Sequence, residues 1–174
     1  MAWQVDPAHS IIQFGVKHML VATTRGRFGR YDVDATIDEQ HPETSQATVV
    51  IDAASVETGQ EQRDAHLRSA DFLDVENYPT IVFRTRRLEP DGDGEYRIVG
   101  DLTIRGVTRE IALKGEVNGP LTDAFGAVRA GISAEGKLNR KDFGLIWNGP
   151  VEAGGIVVSD AVKLTIDFEL TNAA

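Results

Sequence analysis

The sequence has 174 residues, with 27 acidic and 18 basic side chains, a formal net charge of −9 and no cysteine. A chain of this length fits one domain, residues 1–174, that can bury a sizeable core. The lack of cysteine excludes disulfides and thiolate chemistry, and the negative charge argues against binding to nucleic acid or to an anionic membrane.

No stretch approaches the roughly 18–20 consecutive apolar residues that membrane insertion requires. Near the start, no charged run precedes an apolar stretch, and strand-like sequence begins by about Trp3. The sequence as given therefore predicts a cytoplasmic location. If a leader has been removed, the expectation becomes a periplasmic or secreted protein.

Alternation of apolar and polar residues with a period of two dominates the first half and predicts strands. In the first strand Ile12, Phe14, Val16 and His18 share one face. Similar patterns cover 31–37, 47–52 and 81–84. Phe28 does not fit the alternation of the strand over 31–37, which indicates a bulge near Gly29.

A helix of about residues 59–70 interrupts the strand pattern. Thr58 and Glu61 match a capping box, and apolar residues then recur at helical spacing. A shorter helical turn is predicted near residues 140–143.

The second half continues the strands over 96–104, 111–117, 128–138 and 162–170. The first two form a hairpin around Arg105 and Gly106. Further turns are predicted where the alternation lapses, at 118–120 and at 149–155.

About eight strands with one apolar face each can stack as a sandwich or close into a tube. The count and the hairpin-like connections favour an all-β, eight-stranded antiparallel barrel. Small inward residues leave room for a cavity, although bulky neighbours and the helix are an equally good way to fill it. The candidate lining consists of Phe14, Val16, His18, Phe28, Val33, Phe83, Leu102, Leu113, Ile132, Phe143 and Trp147.

Several motifs occur in a fixed order over nearly the whole chain, and together they resemble the YceI-like family of polyisoprenoid-binding proteins. The motifs are Trp3 to Ser10, Phe14 to Met19, Arg25 to Phe28, Ser55 to Thr58, Arg63 to Leu67, Asp71 and Phe72, Tyr78 to Phe83, Gly100 to Thr108, and Asn139 to Leu145.

The resemblance implies a lipocalin-like barrel, often a homodimer, whose apolar pore holds an isoprenoid chain, with no assigned catalysis and no cofactor. A polyprenyl phosphate, a quinone and a related isoprenoid all remain open as the lipid partner. Binding would serve transport, storage or sequestration.

Three histidines motivate the alternative of an enzyme or a metal-dependent factor. His9, His18 and His66 are possible bases or metal ligands, but they lie on separate elements without ligand spacing. No catalytic triad order, nucleophile elbow or phosphate loop is present, so we assign no catalytic residue and no metal. As headgroup candidates we name His9, Arg63 and His66, although structural roles are favoured for each of them.

A third hypothesis is a structural or interaction module that acts through its surface or a dimer interface. Outward-facing Val50 and Val82 motivate it.

Overall fold

The computed structural model describes residues 3–19, 21–38, 40–148 and 158–172. Within these ranges the chain forms eleven strand segments and one α-helix, α1. The strands are β1 Gln4–Val5, β2 Ile11–His18, β3 Ala22–Phe28, β4 Tyr31–Thr36, β5 Gln46–Asp52, β6 Val56–Glu57, β7 Thr80–Pro90, β8 Glu95–Ile104, β9 Val107–Thr122, β10 Val128–Asn139 and β11 Val158–Asn172. Helix α1 spans Glu61–Arg68, and short 3-10 turns cover Pro7–His9, Pro42–Thr44, Ala53–Ser55 and Arg140–Phe143.

Six of the strand segments are the halves of three interrupted strands. Both β1 and β2 pair with β11 on either side of the turn Pro7–His9. A break at Gly29 and Arg30 divides β3 from β4, and the turn Ala53–Ser55 divides β5 from β6, yet β3 pairs with β6 and β4 with β5. The eleven segments therefore make eight strands.

All of these strands are antiparallel, and their pairing closes into a ring. From the joined β5 and β6 it runs through β7, β8, β9, β10 and β11 to the joined β1 and β2, then to β3 and β4, and back to β5 and β6. The predicted eight-stranded barrel is confirmed, and the sandwich alternative is wrong.

The hairpin between β8 and β9 forms as predicted. Arg105 and Gly106 have φ values of 50° and 72°, and Ile104 pairs with Val107. Positive φ at both central residues gives a two-residue turn whose twist matches that of the flanking strands.

The turn predicted at 118–120 is wrong, because β9 continues to Thr122. The pairing of β9 with β10 shifts in register between Arg129 and Gly131, and this shift accommodates the irregular backbone of β9. The chain instead reverses after Asp123, whose carboxylate accepts hydrogen bonds from the backbone of Phe125 and Ala127. The turn predicted at 149–155 lies outside the described residues.

The predicted helix is present but shorter than expected, and its predicted capping box is wrong. Gln60 is the N-cap and makes no side-chain capping bond. Thr58 hydrogen-bonds with Asp64 and Arg63 instead, so its hydroxyl is not available to the start of the helix. The short helical turn predicted near 140–143 is confirmed by the 3-10 turn Arg140–Phe143.

One end of the barrel, which we call the floor, is filled by buried side chains. Trp3, Ala35, Ala130 and Leu170 are between 0% and 5% exposed. Trp3 bridges to Ala35, and Leu170 lies opposite both Val5 and Ala130. The opposite end, which we call the mouth, carries α1, the turn Arg140–Phe143 and the start of β11.

Candidate functional site

A cavity of about 610 Å³ occupies the barrel between the floor and the mouth. Every strand of the ring contributes side chains to its wall, and most of them are apolar. This volume lies within the range of roughly 300–1,000 Å³ that is usual for small-molecule sites. The tube is therefore partly hollow.

Most of the predicted lining residues lie on the cavity wall, since each occupies an inward position of its strand or of the mouth. Their role in binding a ligand stays a prediction. They are Phe14, Val16, His18, Phe28, Phe83, Leu102, Leu113 and Trp147.

Three predicted lining residues do not reach the cavity. Val33 and Ile132 pack against the core, although their cross-strand partners Val49 and Phe168 line the cavity. Phe143 is 1% exposed and lies within the core. For Val33 and Ile132 the alternation identified the inward face correctly, but it could not indicate which inward side chains border empty space.

The sequence analysis missed part of the wall, most clearly the inward row of β11. Val162, Leu164, Ile166 and Phe168 all line the cavity. Their alternation was recognised, so the signal for an inward row was available. Their proximity to an empty space was not, because it depends on the other seven strands.

The ionisable side chains of the wall are all of basic residue types. Lys17, His18, Arg63, His66 and Arg140 line the cavity, and no described aspartate or glutamate does. The chain as a whole carries a net charge of −9. The cavity environment therefore differs in charge from the protein surface.

Arg63 is held in a fixed orientation by the loop that precedes α1. Its Nε donates to Thr58 Oγ1 at 2.7 Å and its Nη2 donates to the Thr58 carbonyl at 2.8 Å. Asp64 accepts from the Thr58 amide at 2.9 Å. Both side chains therefore tie the helix to the adjacent chain, while Arg63 also borders the cavity.

His66 belongs to an aromatic cluster at the mouth. Its ring lies edge-on to Trp147, with centroids 4.6 Å apart, and edge-on to Phe72 at 5.0 Å. Nε2 of His66 is 2.8 Å from the carboxylate of Asp71. The cluster joins α1 to the segment after the turn Arg140–Phe143, and so it forms part of the mouth.

Arg140 organises the mouth and was not singled out from the sequence as a buried group. It is 2% exposed, and it donates hydrogen bonds to the carbonyl groups of Leu145, Trp147, Val158 and Ser159 at 2.6–3.2 Å. Burial lowers the pKa of its guanidinium, while the nearby charge of Asp160 acts in the opposite direction. Arg140 thus fixes two chain segments beside the cavity.

His9 lies outside the barrel, beside the floor, and is not among the residues that line the cavity, so its predicted contact with a headgroup stays a prediction. Its Nδ1 is 3.0 Å from Asp6 and 3.7 Å from Glu169. The hydrogen bond that His9 makes to the Asp6 carboxylate, followed by the charge of Glu169, raises the pKa of His9. The physical reason for its position is the turn Pro7–His9, which bends the chain outward between β1 and β2.

The same cluster is the one group of three potential metal ligands among the described residues. Donor atoms of Asp6, His9 and Glu169 lie within 4.8 Å of one another. However, Nη1 of Arg129 already contacts both carboxylates, at 3.2 Å and 2.9 Å. Neither His18 nor His66 belongs to this group, so the three histidines of the metal hypothesis do not converge.

The exterior carries the pair of valines that motivated the interaction hypothesis. Val50 and Val82 face each other across β5 and β7, and Val50 is 36% exposed. Among the described residues, no helix has the length and apolar character needed to cross a membrane.

Comparison with known proteins identifies one family over almost the whole chain. The YceI-like domain matches residues 3–170. Protein YceI of Escherichia coli O157:H7 is 39% identical over 137 residues, which cover 79% of this chain and 71% of that protein.

Two solved structures share the fold. The Campylobacter jejuni YCEI protein is 29% identical, with a TM-score of 0.79, and the match covers 91% of this chain and 90% of that one. A polyisoprenoid binding domain from Saccharophagus degradans is 18% identical, with a TM-score of 0.75, and the match covers 99% of both chains. At 18% identity the second comparison shows the fold alone.

Proposed function

The chain belongs to the YceI-like domain family, and from this premise we propose that it binds an isoprenoid-type lipid inside the barrel. The lipid would be transported, stored or sequestered there. The observation that carries the proposal is the apolar cavity of about 610 Å³. Buried side chains close the barrel at the floor, and the charged groups of the cavity wall lie towards the mouth.

The cavity favours a hydrocarbon tail for a simple thermodynamic reason. Each methylene removed from water contributes about 0.8 kcal/mol. A tail pointing towards the floor would contact Phe14, Phe83, Leu113, Leu164 and Phe168, whose side chains lie on the wall. A polar metabolite placed at that depth would lose hydration without finding hydrogen-bonding partners.

The mouth supplies the groups that would contact a head. Arg63 keeps its Nη1 without a hydrogen-bond partner among the described residues, while Thr58 holds its other two nitrogens. A guanidinium oriented in this way suits a phosphate, and it can also donate to a quinone oxygen. His66 is beside it on the wall.

The Saccharophagus degradans domain, named for polyisoprenoid binding, has the same fold, which supports this choice of tail. We propose a binding protein and not an enzyme, because the predicted histidines are divided between the floor exterior and the mouth. The homodimer implied by the resemblance stays a prediction.

Filling the cavity tests the proposal. Leu164 lies on the wall, so a larger side chain at 164 would occupy part of the cavity. We expect Leu164→Trp to weaken saturable uptake of a polyprenol and of a quinone by at least about tenfold, equivalent to 1.4 kcal/mol. Uptake would be measured by solvent extraction and native mass spectrometry.

The matched control is Lys163→Trp, which adds the same indole one residue away on the outward face. It should leave uptake unchanged, and circular dichroism would verify that both variants fold. A wild-type protein without saturable uptake, or equal uptake by both variants, would show that the cavity does not bind these lipids.

A further inference from the structure

Apolar side chains are exposed next to the mouth. Val21 is 84% exposed, Ile146 is 69% exposed and Met19 is 45% exposed. Met19 directly follows His18, and Ile146 lies between Leu145 and Trp147. Those three neighbours all line the cavity, so the exposed apolar groups border its entrance.

The hairpin that carries Met19 and Val21 is also locally basic. Residues 15–28 contain three cationic side chains and no acidic one, in a chain whose net charge is −9. Arg25 pairs with Gly15, which puts its side chain on the outer face, while Lys17 pairs with Thr23 and borders the cavity at the mouth. Both cations are exposed. Neither has an ion-pair partner among the described residues, whereas Arg27 contacts Glu57 at 3.1 Å.

We propose that this hairpin, together with Ile146, is a contact surface for a lipid bilayer. Apolar side chains at the tip would enter the interface, and long cationic side chains behind the tip would reach the phosphate groups. The surface is continuous with the mouth, so a lipid could pass between bilayer and cavity without crossing water. The inference rests on the proposed function, because that function supplies the lipid that would move between bilayer and cavity.

The charge of the whole protein determines which bilayer fits. A net charge of −9 repels a strongly anionic surface over the range of the Debye length, about 8–10 Å at ordinary ionic strength. A zwitterionic surface lacks this repulsion and still offers phosphates to Lys17 and Arg25. Phosphatidylcholine vesicles are therefore the appropriate test surface.

The opposite end of the barrel provides a matched control. Leu121 and Phe125 are 74% and 95% exposed around the β9–β10 connection, which lies at the floor end because Val128 pairs with both Thr122 and Asn172. These two exposed apolar side chains are not among the residues that line the cavity.

We would measure flotation of the full chain with phosphatidylcholine vesicles. The double variant Met19→Ser, Val21→Ser should lower the vesicle partition coefficient by at least about tenfold, because it removes apolar area that the bilayer would bury. The double variant Leu121→Ser, Phe125→Ser should partition as the wild type does. Loading with a detergent-dispersed polyprenol, measured separately, should be equal in all three proteins.

The contact would be ruled out by a wild-type protein that does not float with vesicles, or by equal losses in the two double variants. It would also be ruled out if the hairpin binds a second copy of the chain. That outcome would appear as a dimer in the absence of vesicles, which the double variant Met19→Ser, Val21→Ser abolishes. If the protein binds vesicles but takes up no polyprenol, the proposed function is wrong and the membrane contact is still supported.

Discussion

The floor and the mouth are two ends of one barrel, built from the same eight strands, and they use their inward side chains differently. At the floor, Trp3 fills the space beside small Ala35 and Ala130. Towards the mouth, the inward rows surround a cavity of about 610 Å³. The strand pattern is the same at both ends, so the segments that cover each end decide which half of the barrel is filled by side chains.

The end elements differ in chemistry as well as in shape. The floor is covered by the apolar Trp3, which precedes β1 and bridges to Ala35. The mouth is framed by Arg140, whose donors bind backbone carbonyls of two segments. The mouth is therefore held by hydrogen bonds and by the aromatic contacts of His66, Phe72 and Trp147, and we expect the stability of the barrel to depend more on the floor.

Truncation at the floor tests this expectation with the largest effect. Trp3 is 5% exposed, and Trp3→Ala should lower the free energy of unfolding by about 3–5 kcal/mol, since a buried aromatic is lost and a cavity remains. Leu164→Ala, which enlarges a space that already exists, should cost about 2 kcal/mol, at the low end for such a change. Urea unfolding followed by fluorescence and circular dichroism measures both. Equal costs would contradict the distinction between the two ends.

Removal of the mouth arginine should have a smaller effect on stability and a visible effect on the cavity. Arg140→Met keeps most of the side-chain volume but leaves buried carbonyls without donors, at a cost of about 1–3 kcal/mol. Uptake of a polyprenol should fall as well, because the segment containing Trp147 loses its anchor.

Exposed Lys141 is the matched control, since it contacts the same Asp160 at 3.4 Å. Lys141→Met should change stability by no more than about 1 kcal/mol and leave uptake intact. If Arg140→Met behaves in the same way, the arginine does not frame the mouth.

The smallest expected effect concerns the exterior of the floor and depends on pH. Asp6 raises the pKa of His9 above the ordinary value of 6.5. The stabilisation from protonated His9 is therefore fully present below pH 6.5 and is lost as the pH rises through the folded-state pKa. We expect the stability difference between wild type and His9→Gln to decrease over that interval.

Titration of His9 by NMR gives a direct measurement, with a midpoint above 6.5 in the wild type. Asp6→Asn should lower this midpoint and remove most of the pH dependence of the His9→Gln difference, because Asp6 is the largest cause of the shift. A midpoint that Asp6→Asn does not move would show that the cluster beside the floor is not coupled.

Much of the fold follows from the sequence, because alternation reports the face of each strand directly. The inward row of β2, the hairpin at Arg105 and Gly106, and the helix after Thr58 were all predicted close to their observed positions. The failures have local causes. Thr58 resembles a cap but bonds with Arg63 and Asp64, and the backbone near 118–120 is irregular within β9 and does not end the strand.

The site was less predictable than the fold. Phe14 and Val33 both follow the inward alternation, yet Phe14 lines the cavity and Val33 packs into the core. His9 and His66 both stand in family-like motifs, yet only His66 reaches the mouth. In neither pair does the local sequence distinguish the two residues, because the position of the cavity depends on the whole barrel.

The sequence by itself determined which side chains face inward, that eight strands are available to close, and that the interior is apolar. The tertiary structure alone decided how the ring joins its interrupted strands, how far Trp3 fills the tube, and where Arg140 is buried. The physical reason is that facing depends on neighbouring residues along one strand, whereas empty volume depends on side chains that all eight strands and both ends bring together.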